Sequence, residues 1–201
     1  MAGKLFIFEG PDGVGKTTIV RDLKRRLTGK SFEFLSFPGR DEGTLGQAIY
    51  RIHHHPEEFG ILTMSELARQ ALHVAAHIDV IETRIKPWIA QGKNVVLDRF
   101  WWSTLVYGTV GGGQCEALSE LVAAEETVWG PLLPRAAFLI DRDSPINRRE
   151  DLTYWQQLRT NYAQLATRET QKYPVHTVRN ITSVAEAVDQ IEAKIARISV
   201  E

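Results

Sequence analysis

The chain of 201 residues holds a single cysteine, Cys115, so no internal disulfide can form and stability has to come from packing. Its formal net charge is only −1, which removes bulk electrostatic attraction to nucleic acid or an anionic membrane as a basis for function. No apolar run is long enough to span a bilayer, and the N-terminus lacks the basic region and long apolar stretch of a signal peptide. With a lone cysteine that suits a reducing compartment, these absences lead us to expect a cytoplasmic protein. There is no internal repeat and no low-complexity tract. An N-K-x-D motif is missing, which speaks against a guanine-reading switch, and H-E-x-x-H is missing, which speaks against a zinc hydrolase. What is present is ordinary globular material: 43% apolar and 24% charged residues, in a length that suits one domain around one substantial core.

One segment stands out from that background. The apolar run Leu5 to Phe8 breaks at a glycine turn, and Gly10 to Thr17 then satisfies G-x-x-x-x-G-K-[ST], the phosphate-binding P-loop. Glycines let the backbone curl until successive N–H groups face phosphate oxygens, and the following helix adds the positive end of its dipole. Lys16 would reach the β- and γ-phosphates of a nucleotide, and the Thr17 hydroxyl would bind Mg²⁺. Strand, loop and helix follow one another as the motif requires.

Beyond it, short β-rich runs alternate with helical patterns. Strands are expected at Leu5–Phe8, Phe32–Ser36, Asn94–Asp98, Ala136–Ile140 and Val175–Val178. Ile19, Leu23 and Leu27 recur at helical spacing and Gly29 closes that segment. A long helix is expected from Thr63, with Thr63 and Glu66 as a capping box and Leu67, Ala71, Val74, Ile78, Ile81 and Ile85 as its buried stripe. Pro87 sets a kink or an end late in that stretch, and Gly92 closes it. Further helices are expected over Cys115 to Val128, through Leu152, Trp155, Leu158, Tyr162 and Leu165, and from a Ser183/Glu186 capping box through Val184, Val188, Ile191 and Ile195. Such alternation implies right-handed crossovers and a parallel sheet covered on both faces, with ligands at the carboxyl ends of the strands.

Charged groups fall at those ends. Asp98 and Arg99 follow the third run, where a carboxylate can orient Mg²⁺ and an arginine can grip a phosphate with two N–H bonds; the alternative is a structural Asp–Arg ion pair. Arg40, after Phe37-Pro38-Gly39, lies at the same edge. Asp141 to Glu150 carries Arg142, Arg148 and Arg149, either a solvated charged face or a source of positive charge over a transferred phosphoryl group. His73 and His77, one helical turn apart, either line a pocket or sit in partial solvent. His53, His54 and His55 read as a solvated helix end before Pro56 rather than as metal ligands.

With these pieces placed, the chain resembles the thymidylate kinases, nucleoside monophosphate kinases of the P-loop class, over almost its whole length. The resemblance rests on Phe8 to Thr18, Phe37-Pro38-x-Arg40, Thr44-Leu45-Gly46, Ile85-Lys86-Pro87, and Asp98-Arg99-Phe100-x-x-Ser103 with Tyr107-Gly108. It implies an α/β P-loop three-layer fold, a five-stranded parallel sheet with helices on both faces, in a single kinase domain over 1–201 with a lid near 141–150. The reaction implied is transfer of the γ-phosphoryl group of ATP, with Mg²⁺, to dTMP or a related pyrimidine monophosphate. A kinase acting on a nucleoside or nucleic-acid hydroxyl and a nucleotide-binding protein without turnover are the alternatives. The first of these is disfavoured by arginine rather than an acid after the second strand.

The resemblance further implies that Gly10, Asp12, Gly13, Val14, Gly15, Lys16, Thr17 and Thr18 hold ATP. Asp12, Arg40, His73, His77, Arg99 and Tyr107 would hold the acceptor. Thr17 and Asp98 would serve the metal, and Lys16, Arg99, Asp98, Arg148 and Arg149 the chemistry. Two departures follow. Gly13 stands where some members carry a catalytic arginine, so that arginine falls to Arg148 or Arg149 in a lid that is short. His73 and His77 stand where members carry an aromatic ring and an arginine against the base, which shifts the expected acceptor toward another pyrimidine or a modified base. Trp101 and Trp102 either reshape the base pocket or pack in the core. The resemblance also implies a homodimer, and neither a membrane nor nucleic acid as partner.

Overall fold

A computed structural model of the chain describes residues 2–146 and 151–200, so Arg148 and Arg149 lie outside the described residues. Five strands, β1 (Leu5–Glu9), β2 (Phe32–Ser36), β3 (Asn94–Asp98), β4 (Ala136–Asp141) and β5 (Val175–Arg179), form one sheet in the order β2-β3-β1-β4-β5. Every neighbouring pair is parallel, with Leu5 opposite Val95, Phe6 opposite Ala136, Phe32 opposite Asn94 and Ala137 opposite Val175.

The helices are α1 (Lys16–Arg26), α2 (Leu45–His54), α3 (Glu66–Val80), α4 (Lys86–Ala90), α5 (Trp101–Val110), α6 (Cys115–Trp129), α7 (Leu152–Glu169) and α8 (Val184–Val200). They cover both faces, so the central strands carry apolar residues in succession rather than in alternation. The alternation of the pleat still divides the core. Leu5, Ile7, Val95 and Leu97 join Ile81, Ile85, Trp102, Leu158 and Tyr162 on one side. Phe6, Phe8, Val96 and Phe138 join Ile19, Leu23, Val188, Ile191 and Trp155 on the other. Among the described residues no helix is long and apolar enough to cross a membrane.

All five expected strands are present, β1, β4 and β5 each one residue longer than expected. The helix boundaries need correction at their caps. α3 starts at Glu66 and is capped by Ser65, whose hydroxyl accepts from Ala68 N–H at 3.2 Å, not by Thr63. Glu66 is drawn instead to Arg69 (2.6 Å) and Gln70 (2.7 Å) on its own helix, so no reciprocal box forms. At α8, Ser183 does cap Glu186 N–H, but the Glu186 carboxylate turns to Thr182.

Pro87 does not end the long helical run. Ahead of it the helix widens into a π turn, Ile81–Ile85, closed by Lys86 N–H to Ile81 O, and α4 then continues to Ala90. The wider turn accommodates a ring that an α-helical interior would place against the preceding carbonyl. Of the buried stripe expected on the long helix, Val74, Ile81 and Ile85 are buried, but Leu67, Ala71 and Ile78 are only half-buried. Leu152, expected in the helical pattern of α7, is 62% exposed, because α7 has only just begun there and the packing of its face starts at Trp155. Trp101 and Trp102 are both core residues, and Trp102 donates its indole N–H to Tyr173 Oη at 3.0 Å.

Candidate active site

The carboxyl ends of β1, β2, β3 and β4 open onto one crevice, and the P-loop fills its centre. Gly10, Gly13 and Gly15 take φ of 135°, 80° and 89°, a backbone region closed to most other residues at little cost. At Gly10 a Cβ would also meet Ile140 O at 2.4 Å, so the loop is pressed against β4. The outward carbonyls of the loop are each taken by a neighbour. Trp155 Nε1 donates to Asp12 O (2.7 Å), Ile146 N to Gly13 O (2.8 Å) and Asn180 Nδ2 to Val14 O (2.8 Å). With those carbonyls bound outside, the intervening amides are left for phosphate oxygens.

Lys16 is the first residue of α1 and 5% exposed; its Nζ donates to Gly10 O at 2.7 Å and Pro11 O at 3.2 Å. Burial, then the Arg99 charge, pull its pKa down to about 8 against the opposing pull of Asp98, Asp12 and Glu9. Thr17 Oγ1 donates to Asp98 Oδ2 at 3.0 Å, so the two expected metal-side groups meet.

Arg99 does not pair with Asp98. It has φ of +86°, the sole described non-glycine residue in the left-handed region, and this turn swings its side chain across to Asp12 and to Ser103 Oγ (3.0 Å). Burial works against its charge, but Tyr107 and Asp12 hold it well above the ordinary arginine pKa. Asp12 in turn accepts from Tyr107 Oη at 2.9 Å. Burial would raise its pKa, yet Arg99 and Lys16 outweigh that and lower it. The P-loop thus supplies one wall of the neighbouring cleft.

What holds Arg99 in this strained turn is Glu9. Fully buried at the end of β1, it accepts from Phe100 N (2.8 Å), Ser103 N (3.1 Å) and Ser103 Oγ (2.9 Å), serving as the missing cap of α5. Burial raises its pKa to about 7 despite the nearby Arg99 and Lys16.

The adjoining cleft, about 420 Å³, is lined by Asp12, Arg40, His73, His77, Arg99 and Tyr107, so the expected acceptor residues come together. Arg40 lies over the Tyr50 ring at 4.2 Å. Gln70, Thr104 and Tyr154 line it too, and Thr104 Oγ1 is buried with no partner among the described residues. His53, expected in solvent, instead sits in the cleft wall with Nδ1 3.0 Å from His73 Nε2. Burial pushes the pKa of His53 down to about 4 and that of His73 to about 3, so both rings are neutral near pH 7. Among the described residues no cluster of histidine, cysteine or carboxylates could hold a metal ion.

Gly46 lets α2 close on this cleft: a Cβ there would meet Gly39 O at 2.4 Å and Pro38 O at 2.9 Å. Gly46→Ala should push the loop bearing Arg40 outward, raising the KM of the acceptor roughly tenfold while leaving that of the donor nearly unchanged. Steady-state kinetics with each substrate varied in turn measures this.

At the base of the expected lid, Asp141 receives Arg159 (2.6 and 2.9 Å) and Arg179 (2.8 Å), while Asp143 receives Arg179 at 2.7 and 2.8 Å. Arg142 is tied to the carbonyls of Asn180 and Ser144. The charge run is therefore partly an anchoring network across β4, α7 and β5. Glu9, Gln70, Thr104, Trp155 and Asn180 are the site residues that motif spacing missed. A glutamate directly after an apolar run was the one available signal, at Glu9.

The family model for thymidylate kinase matches residues 8–191. The thymidylate kinase of Prochlorococcus marinus (strain MIT 9303) is 31% identical over 94% of this chain and 93% of that protein. That of Symbiobacterium thermophilum is 28% identical over 95% of this chain and 90% of its own length. With the thymidylate kinase of Chlamydia trachomatis serovar D the match is 30% identical over 67% of this chain, and it spans only 64% of that relative. The crystal structure of thymidylate kinase from Ehrlichia chaffeensis superposes with a TM-score of 0.77 over 97% of this chain and 100% of that one, at 20% identity, a likeness of fold.

Proposed function

Since the chain belongs to the thymidylate kinase family, we propose that it transfers the γ-phosphoryl group of ATP to a nucleoside monophosphate, dTMP or a related pyrimidine nucleotide, giving the diphosphate. The observation that carries this reading is Asp12. It belongs to the donor-binding loop, yet its carboxylate is held by Arg99 and Tyr107 in the acceptor cleft. One loop therefore sets the distance between the two substrates.

In this reading the P-loop amides and Lys16 hold the donor phosphates. Arg99, with Arg40 at the rim, grips the acceptor phosphate, and Asp12 and Tyr107 orient its sugar. An acceptor phosphate is already largely ionised at neutral pH, so alignment and charge neutralisation suffice and no strong base is needed. That fits the carboxylates: Glu9 is buried in a cap, and Asp12 and Asp98 are each engaged by a neighbour. The oxygen donors of Thr17 and Asp98 suit Mg²⁺, a hard cation that keeps several waters, and would hold it at the edge of the donor phosphates. When bound, Mg²⁺ supplies charge neutralisation of the phosphate oxygens. The reading extends to one kinase domain over 1–201, a lid near 141–150 carrying Arg148 and Arg149, a cytoplasmic location and a homodimer. Half-buried Leu67, Ala71 and Ile78 of α3, none of which lines the cleft, would be the residues to test for such a contact.

The purified protein with ATP, Mg²⁺ and a panel of nucleoside monophosphates should convert a pyrimidine member to its diphosphate and leave nucleosides without phosphate untouched. Formation of no diphosphate from any member would overturn the reading.

A further inference from the structure

If the acceptor phosphate lies at Arg40 and Arg99 and the sugar at Asp12 and Tyr107, the base is left the part of the cleft walled by Gln70, His73, His77 and Thr104. His77 differs from the other histidines there. Its ring is stacked on Phe37, centroids 4.0 Å apart and 18° from parallel, and it is 4% exposed. Its Nδ1 lies 2.7 Å from Oε2 of Glu125, which is fully buried on α6, and the other carboxylate oxygen of Glu125 accepts from Trp129 Nε1 at 3.1 Å. The stack and the hydrogen bond set the orientation of the ring, and Nε2, with no protein partner among the described residues, is the nitrogen left for the cleft.

We propose that His77 reads the exocyclic group on the pairing edge of the acceptor's base, and that Glu125 sets the sense of that reading by holding the ring in its Nδ1–H tautomer. The inference rests on the kinase reading above. An ionised carboxylate only accepts, so the ring nitrogen facing Glu125 is the one that carries the proton. Nε2 is then an acceptor and suits the amino group of a 4-amino pyrimidine better than the carbonyl oxygen of a 4-oxo pyrimidine. Moving the proton to Nε2 would reverse that preference.

The other groups around the ring do not blur this. Glu125 faces it from α6 and His73 from its own helix, with His53 and His54 on α2 behind, Arg40 in the loop after β2 and Arg99 after β3. His53 and His73 are pushed down to about 4 and about 3 by burial first, so they carry no charge change between pH 6 and 8. His54 is exposed, with Nδ1 2.9 Å from Tyr50 O, and its own variant controls for it.

Glu125→Gln gives the sharpest test. Trp129 Nε1–H only donates, so the amide oxygen must turn to it, and the amide NH₂ then faces His77 Nδ1. The tautomer inverts: Nδ1 accepts, and Nε2 carries the proton.

The experiment compares dCMP with dUMP, which differ at the pairing edge alone, so that the titration of the acceptor phosphate cancels in the ratio. In His54→Gln, kcat/KM for dCMP relative to dUMP should match that of the wild type. In Glu125→Gln the ratio at pH 8 should fall by roughly tenfold. Nitrogen-15 NMR of the wild-type imidazoles supplies a readout independent of turnover and of whether the variant folds: His77 should show the Nδ1–H tautomer. A ratio unchanged by Glu125→Gln, or an Nε2–H tautomer for His77, overturns the proposal. Absence of turnover with every monophosphate would instead overturn the kinase reading, and the NMR result would still decide whether Glu125 sets the tautomer.

Discussion

Lys16→Ala should lower kcat by on the order of 10³-fold and weaken ATP binding, while leaving the thermal midpoint within a few degrees of the wild type. The first part follows from position. Lys16 is buried at the start of α1 with its ammonium held over the P-loop by Gly10 O and Pro11 O, where the transferred phosphoryl group would lie. A fixed cation in a site poor in water needs no reorganisation as charge moves between the phosphates, so its loss is felt mainly in the transition state. The second part follows from the local balance of charge. Burial and Arg99 both work against the Lys16 charge, so removing it relieves a repulsion even as Asp98, Asp12 and Glu9 lose a neighbour. Lys16→Arg should not restore the rate, because a planar guanidinium cannot occupy the space of an ammonium between two carbonyls. Steady-state kinetics beside a thermal melt separates the two effects. A kcat within tenfold of the wild type would remove Lys16 from the chemistry.

Replacing Arg99 should cost on the order of 10²- to 10³-fold in kcat/KM for the acceptor, with a raised acceptor KM and nearly unchanged donor KM. The guanidinium bridges Asp12 and Ser103 and sits 5.2 Å from the Tyr107 ring, in the wall of the cleft. Two variants divide the side chain's role from the backbone's. Arg99→Ala and Arg99→Gly should lose activity equally, since both lack the guanidinium. The glycine variant should nevertheless be more stable to urea, by about 1 kcal/mol, because alanine retains a left-handed φ of +86° that glycine adopts without cost. Arg99→Lys should keep part of the activity, having the charge without the two-pronged grip. Equal stability of the alanine and glycine variants would mean that the turn relaxes once the side chain is gone, and that the Arg99 side chain rather than Glu9 fixes its shape.

Much of this architecture was legible because its signals are local. The P-loop is read from eight consecutive residues, and the strands from apolar runs that both-face burial makes nearly continuous. The expected groups Lys16, Thr17 and Asp98 do converge, because topology sends the ends of parallel strands to one edge. Caps were less legible. Thr63 and Ser65 are both plausible starts for α3, and only the path of the chain into the helix selects Ser65. Trp101 and Trp102 follow Asp98 and Arg99 directly, yet the first turn of α5 carries both into the core, where Trp102 finds Tyr173. His53 was read as solvated because nothing near it in sequence needs it; its partner, His73, arrives from another helix.

The sequence by itself determined the class of chemistry and the edge of the sheet where it happens, since a glycine loop that cradles phosphate is a local device specified by adjacent residues. Tertiary structure alone decided how that loop is used. Asp12 became part of the cleft wall through Arg99 and Tyr107, Glu9 became the cap that holds the strained turn at Arg99, and His77 met the buried carboxylate of Glu125. Each of these pairs is separated by 48 to 95 positions along the chain. No local pattern links them, and only the packing of distant elements against one sheet brings their charges and protons within reach of one another.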